Sequence, residues 1–140
     1  MTTSRIDLLL SAARARLGRL TPEEALAETA DGAVLVDTRP AAQRAAHGDL
    51  PGALVVERNV LEWRFDPTND AALAIADDTL RVIVLCQEGY SSSLAAAALR
   101  DVGVLRATDV IGGYAAWVAA GVGAPAATAD QRLVTRRRAG

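Results

Sequence analysis

The sequence predicts an α/β fold: a central parallel sheet of about five strands flanked by helices, with an extra helix at the N-terminus. Three observations predict it. Residues 33–36 and 81–85 are short, nearly unbroken apolar runs, the pattern of strands buried on both faces. Strand-like segments alternate with helix-like ones along the chain, which calls for parallel strands joined by crossovers. The 140 residues are 51% hydrophobic, carried by Ala, Val and Leu, enough for one domain with a core that needs no covalent staples.

The elements follow in order. Residues 6–20 place apolar side chains at Ile6, Leu10, Ala13, Leu17 and Leu20, in steps of four, three, four and three, which describes an amphipathic helix. Arg14, Arg16 and Arg19 fall off that stripe. The stripe packs on its own domain or, as the alternative, forms a homodimer contact. Thr21-Pro22-Glu23-Glu24 opens a second helix, with Thr21 as N-cap, Pro22 at the first helical position and Glu24 at capping-box distance. That helix ends near Thr29, and Asp31-Gly32 makes the turn into the strand at 33–36. The strand runs out in Asp37-Thr38-Arg39-Pro40, and a helix over 41–46 stops at Gly48.

Pro51-Gly52-Ala53 is a turn and 54–56 a short strand. Residues 58–67 read as an irregular connection and 71–76 as helical. The strongest strand, 81–85, delivers Cys86. A tight loop over 86–91 leads into a helix over 92–102, stopped by Gly103. A last short strand at 108–111 precedes Gly112-Gly113, which turns the chain into a helix around Trp117. The expected organisation is an N-terminal helix at 1–20, the α/β domain at 21–125 and a tail at 126–140, whose Arg136, Arg137 and Arg138 read as a solvated cluster.

Composition excludes several function classes. All 15 basic residues are Arg, and the formal charge of −2 leaves no broad basic face for nucleic acid. A single cysteine forbids an internal disulfide, and with one histidine the chain cannot supply the roughly four Cys/His ligands of a structural zinc site. The first eleven residues hold Asp7 and no long apolar run, so they resemble neither a signal peptide nor a membrane span. A cytoplasmic location is the expectation.

The chemistry concentrates at Cys86. A buried strand ends there, a loop with Gly89 follows, and Ser91 and Ser92 open a helix. In open parallel sheets the active site lies beyond the carboxyl ends of the strands, a rule that brings Arg39, Arg58 and Cys86 toward one rim. A loop and a helix N-terminus can aim several backbone N–H groups at the sulfur and favour an anion there. A free thiol ionises near about pH 8.5, and helix N-termini lower that value. Gly89 lets the backbone turn sharply and come close to the sulfur, while Ser91 and Ser92 can donate hydroxyl hydrogen bonds or cap the helix. The same cradle suits a persulfide, whose outer sulfur is anionic. With no second cysteine, sulfur bound at Cys86 must leave to an external acceptor. The competing reading is that Cys86 is a core residue, since free cysteine is among the most buried side chains.

Four ordered motifs carry a family resemblance over roughly residues 20–125: Asp37-Thr38-Arg39, Leu50-Pro51-Gly52-Ala53, Cys86-Gln87-Glu88-Gly89-Tyr90-Ser91 and Gly112-Gly113-Tyr114-Ala115-Ala116-Trp117. In this order and spacing the chain resembles a single-domain rhodanese. The resemblance implies a rhodanese-like central parallel sheet and a sulfurtransferase reaction. Cys86 would take sulfane sulfur from a donor such as thiosulfate, become a persulfide, and pass the sulfur to cyanide or a thiol. It implies Cys86 as the catalytic residue. The loop residues Gln87, Glu88, Gly89, Tyr90, Ser91 and Ser92, with Arg39 and Arg58 from the rim, are the expected substrate-binding residues. No metal or organic cofactor is implied.

Departures from the family pattern qualify the substrate. Asp49 stands where a histidine is common, with His47 two positions earlier as a surface loop residue. Gln87 and Glu88 replace basic loop residues, so Glu88 would repel a dianionic donor by about 1 kcal/mol if exposed. Arg58 and Arg64 either restore positive charge at the rim or form ordinary surface ion pairs. Arg39 either joins them or is a structural partner of a nearby carboxylate. Tyr90 either shields the sulfur or faces solvent. A cysteine phosphatase needs Arg at the sixth position after the cysteine to clamp phosphoryl oxygens, and Ser92 stands there. A non-catalytic partner-binding module of the same fold is the remaining alternative.

Overall fold

Thr21 accepts a hydrogen bond from the Glu24 N–H, and the Glu24 carboxylate accepts one from the Thr21 N–H, closing the capping box read from the sequence. In the computed structural model, which describes residues 3–127, this box starts α2 (Pro22–Ala30). Before it lies α1 (Arg5–Ala15); after it come β1 (Val34–Asp37), α3 (Ala41–His47) and β2 (Leu54–Val55). A 3-10 turn (Arg58–Val60) runs into α4 (Leu61–Phe65). β3 (Val82–Leu85), α5 (Ser91–Asp101), β4 (Thr108–Asp109) and α6 (Gly113–Ala120) complete the order.

The sheet is wholly parallel, in the order β2-β1-β3-β4. Residues 34–37 of β1 pair in register with 82–85 of β3, and every residue of both strands is buried. The absence of alternation has a direct cause: each face meets its own core. Val34, Val36, Val82 and Val84 face a cluster with Leu61, Phe65, Ala95 and Leu99. Leu35, Ile83 and Leu85 face a second cluster with Ala25, Val110 and Trp117. α1 lies against α5 on the first side, and α2 lies against α6 on the second.

The structure corrects the sequence reading in four places. The sheet has four strands among the described residues, not about five; beyond β4 only Leu20 pairs, as a single parallel bridge to Val110. The N-terminal helix ends at Ala15 rather than Leu20. It buries Leu10 and Ala13 and leaves Ile6 exposed, while Leu17 and Leu20 reach the two cores from the extended segment behind it. Of the expected irregular connection, residues 58–65 form the 3-10 turn and α4, because one helical turn buries Leu61 and Phe65 together.

Residues 71–76 are not helical. The Asn69 side chain accepts the Ala71 N–H at 2.9 Å, Asp77 accepts the Thr79 N–H at 2.8 Å, and Arg64 donates to the Ala71 carbonyl. These side chains give the backbone partners that a helix would otherwise supply, and alanine propensity loses to them. Ala72, Leu73 and Ala76 are buried all the same. The Arg136–Arg138 cluster lies outside the described residues. Among those residues no helix is long and apolar enough to cross a membrane, and no group of three or more His, Cys, Asp or Glu could hold a metal ion.

Candidate active site

β3 ends at Leu85, and Cys86 is the first residue past its carboxyl end. Its side chain is 5% exposed and lies at the floor of an open cavity of about 250 Å³. Two backbone N–H groups donate to Cys86 Sγ: Gly89 at 3.1 Å and Ser92 at 3.3 Å. Ser92 occupies the second position of α5, and the N-cap residue Tyr90 makes no capping hydrogen bond through its side chain. The sulfur therefore takes the place of a capping oxygen at the helix N-terminus, where the backbone dipoles favour negative charge.

Close backbone packing shapes this loop. Gly89 has φ +84, and a Cβ there would lie 2.6 Å from the Gly112 nitrogen. Gly113 has φ +59, and its own Cβ would collide with the Cys86 carbonyl. With both side chains absent, the start of α6 docks on the loop: the Tyr114 N–H donates to the Cys86 carbonyl at 2.8 Å and the Ala115 N–H to the Gln87 carbonyl at 3.0 Å. The paired glycines of residues 112 and 113 thus fix the loop from the far side.

Arg39 lies at the carboxyl end of β1. It is buried and forms a forked ion pair with Asp37, with Nη2 at 2.8 Å and Nε at 3.0 Å from the carboxylate. Its Nη1 donates to Gln87 Oε1 at 3.1 Å, and its guanidinium stacks 3.9 Å from the Tyr114 ring centroid. Arg39 is thus the structural partner of a buried carboxylate, and it also lines the cavity.

The other expected site residues divide. Gln87, Glu88, Tyr90 and Ser91 line the cavity with Cys86, and Glu88, Tyr90 and Ser91 are exposed. Ser92 contributes its N–H only; its hydroxyl turns away and donates to Asp109 at 2.8 Å. Arg58 does not reach the site. It sits in the 3-10 turn beyond edge strand β2, and Glu62 holds its guanidinium at 2.8 Å one helical turn on. Arg64 is absent from the cavity lining and donates to Ala71. His47 is exposed at the end of α3.

Thr38, Pro40 and Gln43 also line the cavity. The largest omission from the sequence reading is Asp109. Its carboxylate is fully buried and accepts from Ser92 Oγ, from Ser93 Oγ and from two nitrogens of Arg19. Arg19 and Arg14 both donate to the Gly89 carbonyl, at 3.1 and 2.7 Å. The only sequence signal for either arginine was its position off the apolar stripe. A larger cleft of about 470 Å³ lies at the amino ends of the strands, between Glu28, Asp77 and Arg106, away from the cysteine.

Residues 21–120 match the sequence model of the family described as Rhodanese-like domain. The chain belongs to the rhodanese-like family. Its similarity extends to the thiosulfate sulfurtransferase GlpE of Pseudomonas entomophila (strain L48), at 34% identity over 100 residues, covering 71% of this chain and 83% of that protein. Among solved structures, the human single domain sulfurtransferase superposes with a TM-score of 0.59 at 27% identity, covering 72% of this rhodanese chain and 95% of the human one. A protein of unknown function from Rhodopseudomonas palustris CGA009, described as a possible tyrosine phosphatase, superposes with a TM-score of 0.76 at 30% identity, covering 86% and 94%. The rhodanese match begins at residue 21, so α1, Arg14 and Arg19 all precede it.

Proposed function

We propose that this rhodanese-like protein is a sulfurtransferase that carries sulfane sulfur as a persulfide on Cys86. One observation carries the reading: two backbone N–H groups converge on the sulfur of the chain's single cysteine at the floor of an open cavity. Such donors stabilise a thiolate at Cys86 and would hold the inner sulfur of a persulfide in the same place. The described relatives that are sulfurtransferases support the same assignment.

The reaction balances in two displacements. The Cys86 thiolate attacks the outer sulfur of the donor and that sulfur's other bond breaks: the S–S bond of thiosulfate, with sulfite leaving on the bonding pair, or the C–S bond of mercaptopyruvate, with pyruvate leaving as its enolate. An acceptor nucleophile then attacks the outer sulfur of the persulfide, and the Cys86 thiolate leaves. Cyanide yields thiocyanate and a thiol yields a new persulfide. Gln87, Glu88, Tyr90 and Ser91 form the donor's surroundings, and Arg39 holds Gln87 in place. The reaction requires no metal or organic cofactor.

A phosphatase reading fails on the same loop. Ser92 stands at the position that would need to clamp phosphoryl oxygens, and its hydroxyl is committed to Asp109.

Intact-mass measurement tests the proposal. Incubation with thiosulfate, mercaptopyruvate or a low-molecular-weight persulfide should add one sulfur atom, which cyanide or a thiol then removes. Cys86→Ser should never gain it. Failure of all three donors would leave the fold as a binding module without this activity.

A further inference from the structure

The cysteine loop carries no cation of its own: its residues are Gln87, Glu88, Gly89, Tyr90 and Ser91. Yet two guanidinium groups meet on it from outside. Arg14, in the last turn of α1, donates through Nη2 to the Gly89 carbonyl at 2.7 Å and through Nε to Ser93 Oγ at 3.0 Å. Arg19, in the extended segment after α1, donates to the same carbonyl at 3.1 Å and holds Asp109 with two nitrogens. Arg14 also stands 5.6 Å from the centroid of Tyr90, a residue of the cavity wall.

The charges do not cancel. Asp109 offsets one guanidinium, and the second remains over a half-buried part of the loop, where screening is weaker than in bulk water. The geometry matters as much. Gly89 presents its N–H to Cys86 and its carbonyl to the two arginines, so both guanidinium groups hold the residue that donates to the sulfur.

We infer that Arg14 and Arg19 are positioning residues of the active site, supplied by the segment that precedes the family-matched domain, and that they provide the positive field through which the cavity accepts anionic sulfur donors. Glu88 at the lip opposes that field. The inference rests on the reading of Cys86 as the sulfur-carrying atom, and it extends that reading to the class of donor.

The test compares two alkylating agents of similar size, anionic iodoacetate and neutral iodoacetamide, on Cys86 of the full chain near neutral pH and at low salt. The ratio of their rates reports the local field and is independent of the fraction of thiolate. Arg14→Gln is the primary variant, because Asp109 keeps Arg19 and both serine hydroxyls when Arg14 is changed. The expected result is a ratio lowered about threefold in Arg14→Gln and largely restored in Arg14→Lys. Arg16→Gln is the control: Arg16 lies on the same segment and pairs with exposed Asp101 instead, so its ratio should equal wild type. A purely structural role would lower both rates together and leave the ratio alone. An unchanged ratio in Arg14→Gln, or an equal drop in Arg16→Gln, overturns the inference. Sulfur uptake measured on the same proteins separates this failure from failure of the sulfurtransferase reading, since wild type without uptake refutes the latter whatever the ratio.

Discussion

Asp37 and Arg39 face each other as a buried ion pair two residues apart, formed at the point where β1 leaves the sheet. Nη2 of Arg39 donates to the Gly48 carbonyl as well, and Nη1 donates to Gln87 Oε1, so the pair ties three loops at the rim of the sheet. Removing one charge strands the other without water. Arg39→Met should therefore cost about 3–5 kcal/mol of unfolding free energy, read from urea denaturation. The double variant Asp37→Val, Arg39→Met should recover much of that loss. If the double variant is no better than the single one, the penalty lies in lost packing on Tyr114 rather than in an orphaned charge.

Gly89 permits the loop to exist. Its positive φ and the 2.6 Å approach of a hypothetical Cβ to the Gly112 nitrogen leave no room for a side chain against backbone. Gly89→Ala should displace the loop from α6 and take the N–H off Cys86. The expected outcome is a loss of about 1–3 kcal/mol in stability and a drop in sulfur uptake larger than that loss of fold explains. Full uptake in a stably folded Gly89→Ala would show that the Gly89 N–H is dispensable.

The parts of the site legible in the sequence were those written in consecutive residues. The strand delivering Cys86, the glycine of the loop, the hydroxyl residues opening α5 and the Thr21–Glu24 box are all local patterns, and each appears in place. Asp109 was invisible because its partners Arg19, Ser92 and Ser93 lie 16 to 90 positions away and share no periodicity with it. Arg58 failed for the opposite reason. Its proximity to a strand end suggested the rim, but a local partner, Glu62, four residues on, holds it elsewhere. Residues 71–76 misled through composition, since alanines read as helix while Asn69 and Asp77 bent the chain into turns.

The capping box of α2 gives a pH dependence with a definite sign. The Thr21 N–H, and then its hydroxyl, hold the Glu24 carboxyl below its ordinary range. A carboxyl with a depressed folded-state value stabilises the fold above its unfolded value and loses that contribution as pH falls through the folded one. The stability difference between wild type and Glu24→Gln should be full at neutral pH and vanish in acid, below the usual carboxylate range. A difference that stays constant across that range would mean the Glu24 contact does not depend on its charge.

Among the described residues that line the cavity, Glu88 is the one acidic side chain, and it opposes an anionic donor. It is exposed, lines the cavity beside Tyr90, and stands two residues from Cys86. At an exposed site its repulsion of a dianion amounts to about 1 kcal/mol, a factor of roughly five in rate. Glu88→Gln should raise the rate of sulfur uptake from thiosulfate by that factor at low salt, and Glu88→Lys should raise it further. Both gains should shrink as salt screens the lip. A donor with a single negative charge, such as mercaptopyruvate, should gain less than thiosulfate, because the repulsion scales with the donor's charge. Equal gains for both donors would point to altered access rather than to charge. No gain for either would show that sulfur enters the cavity by a path that avoids Glu88.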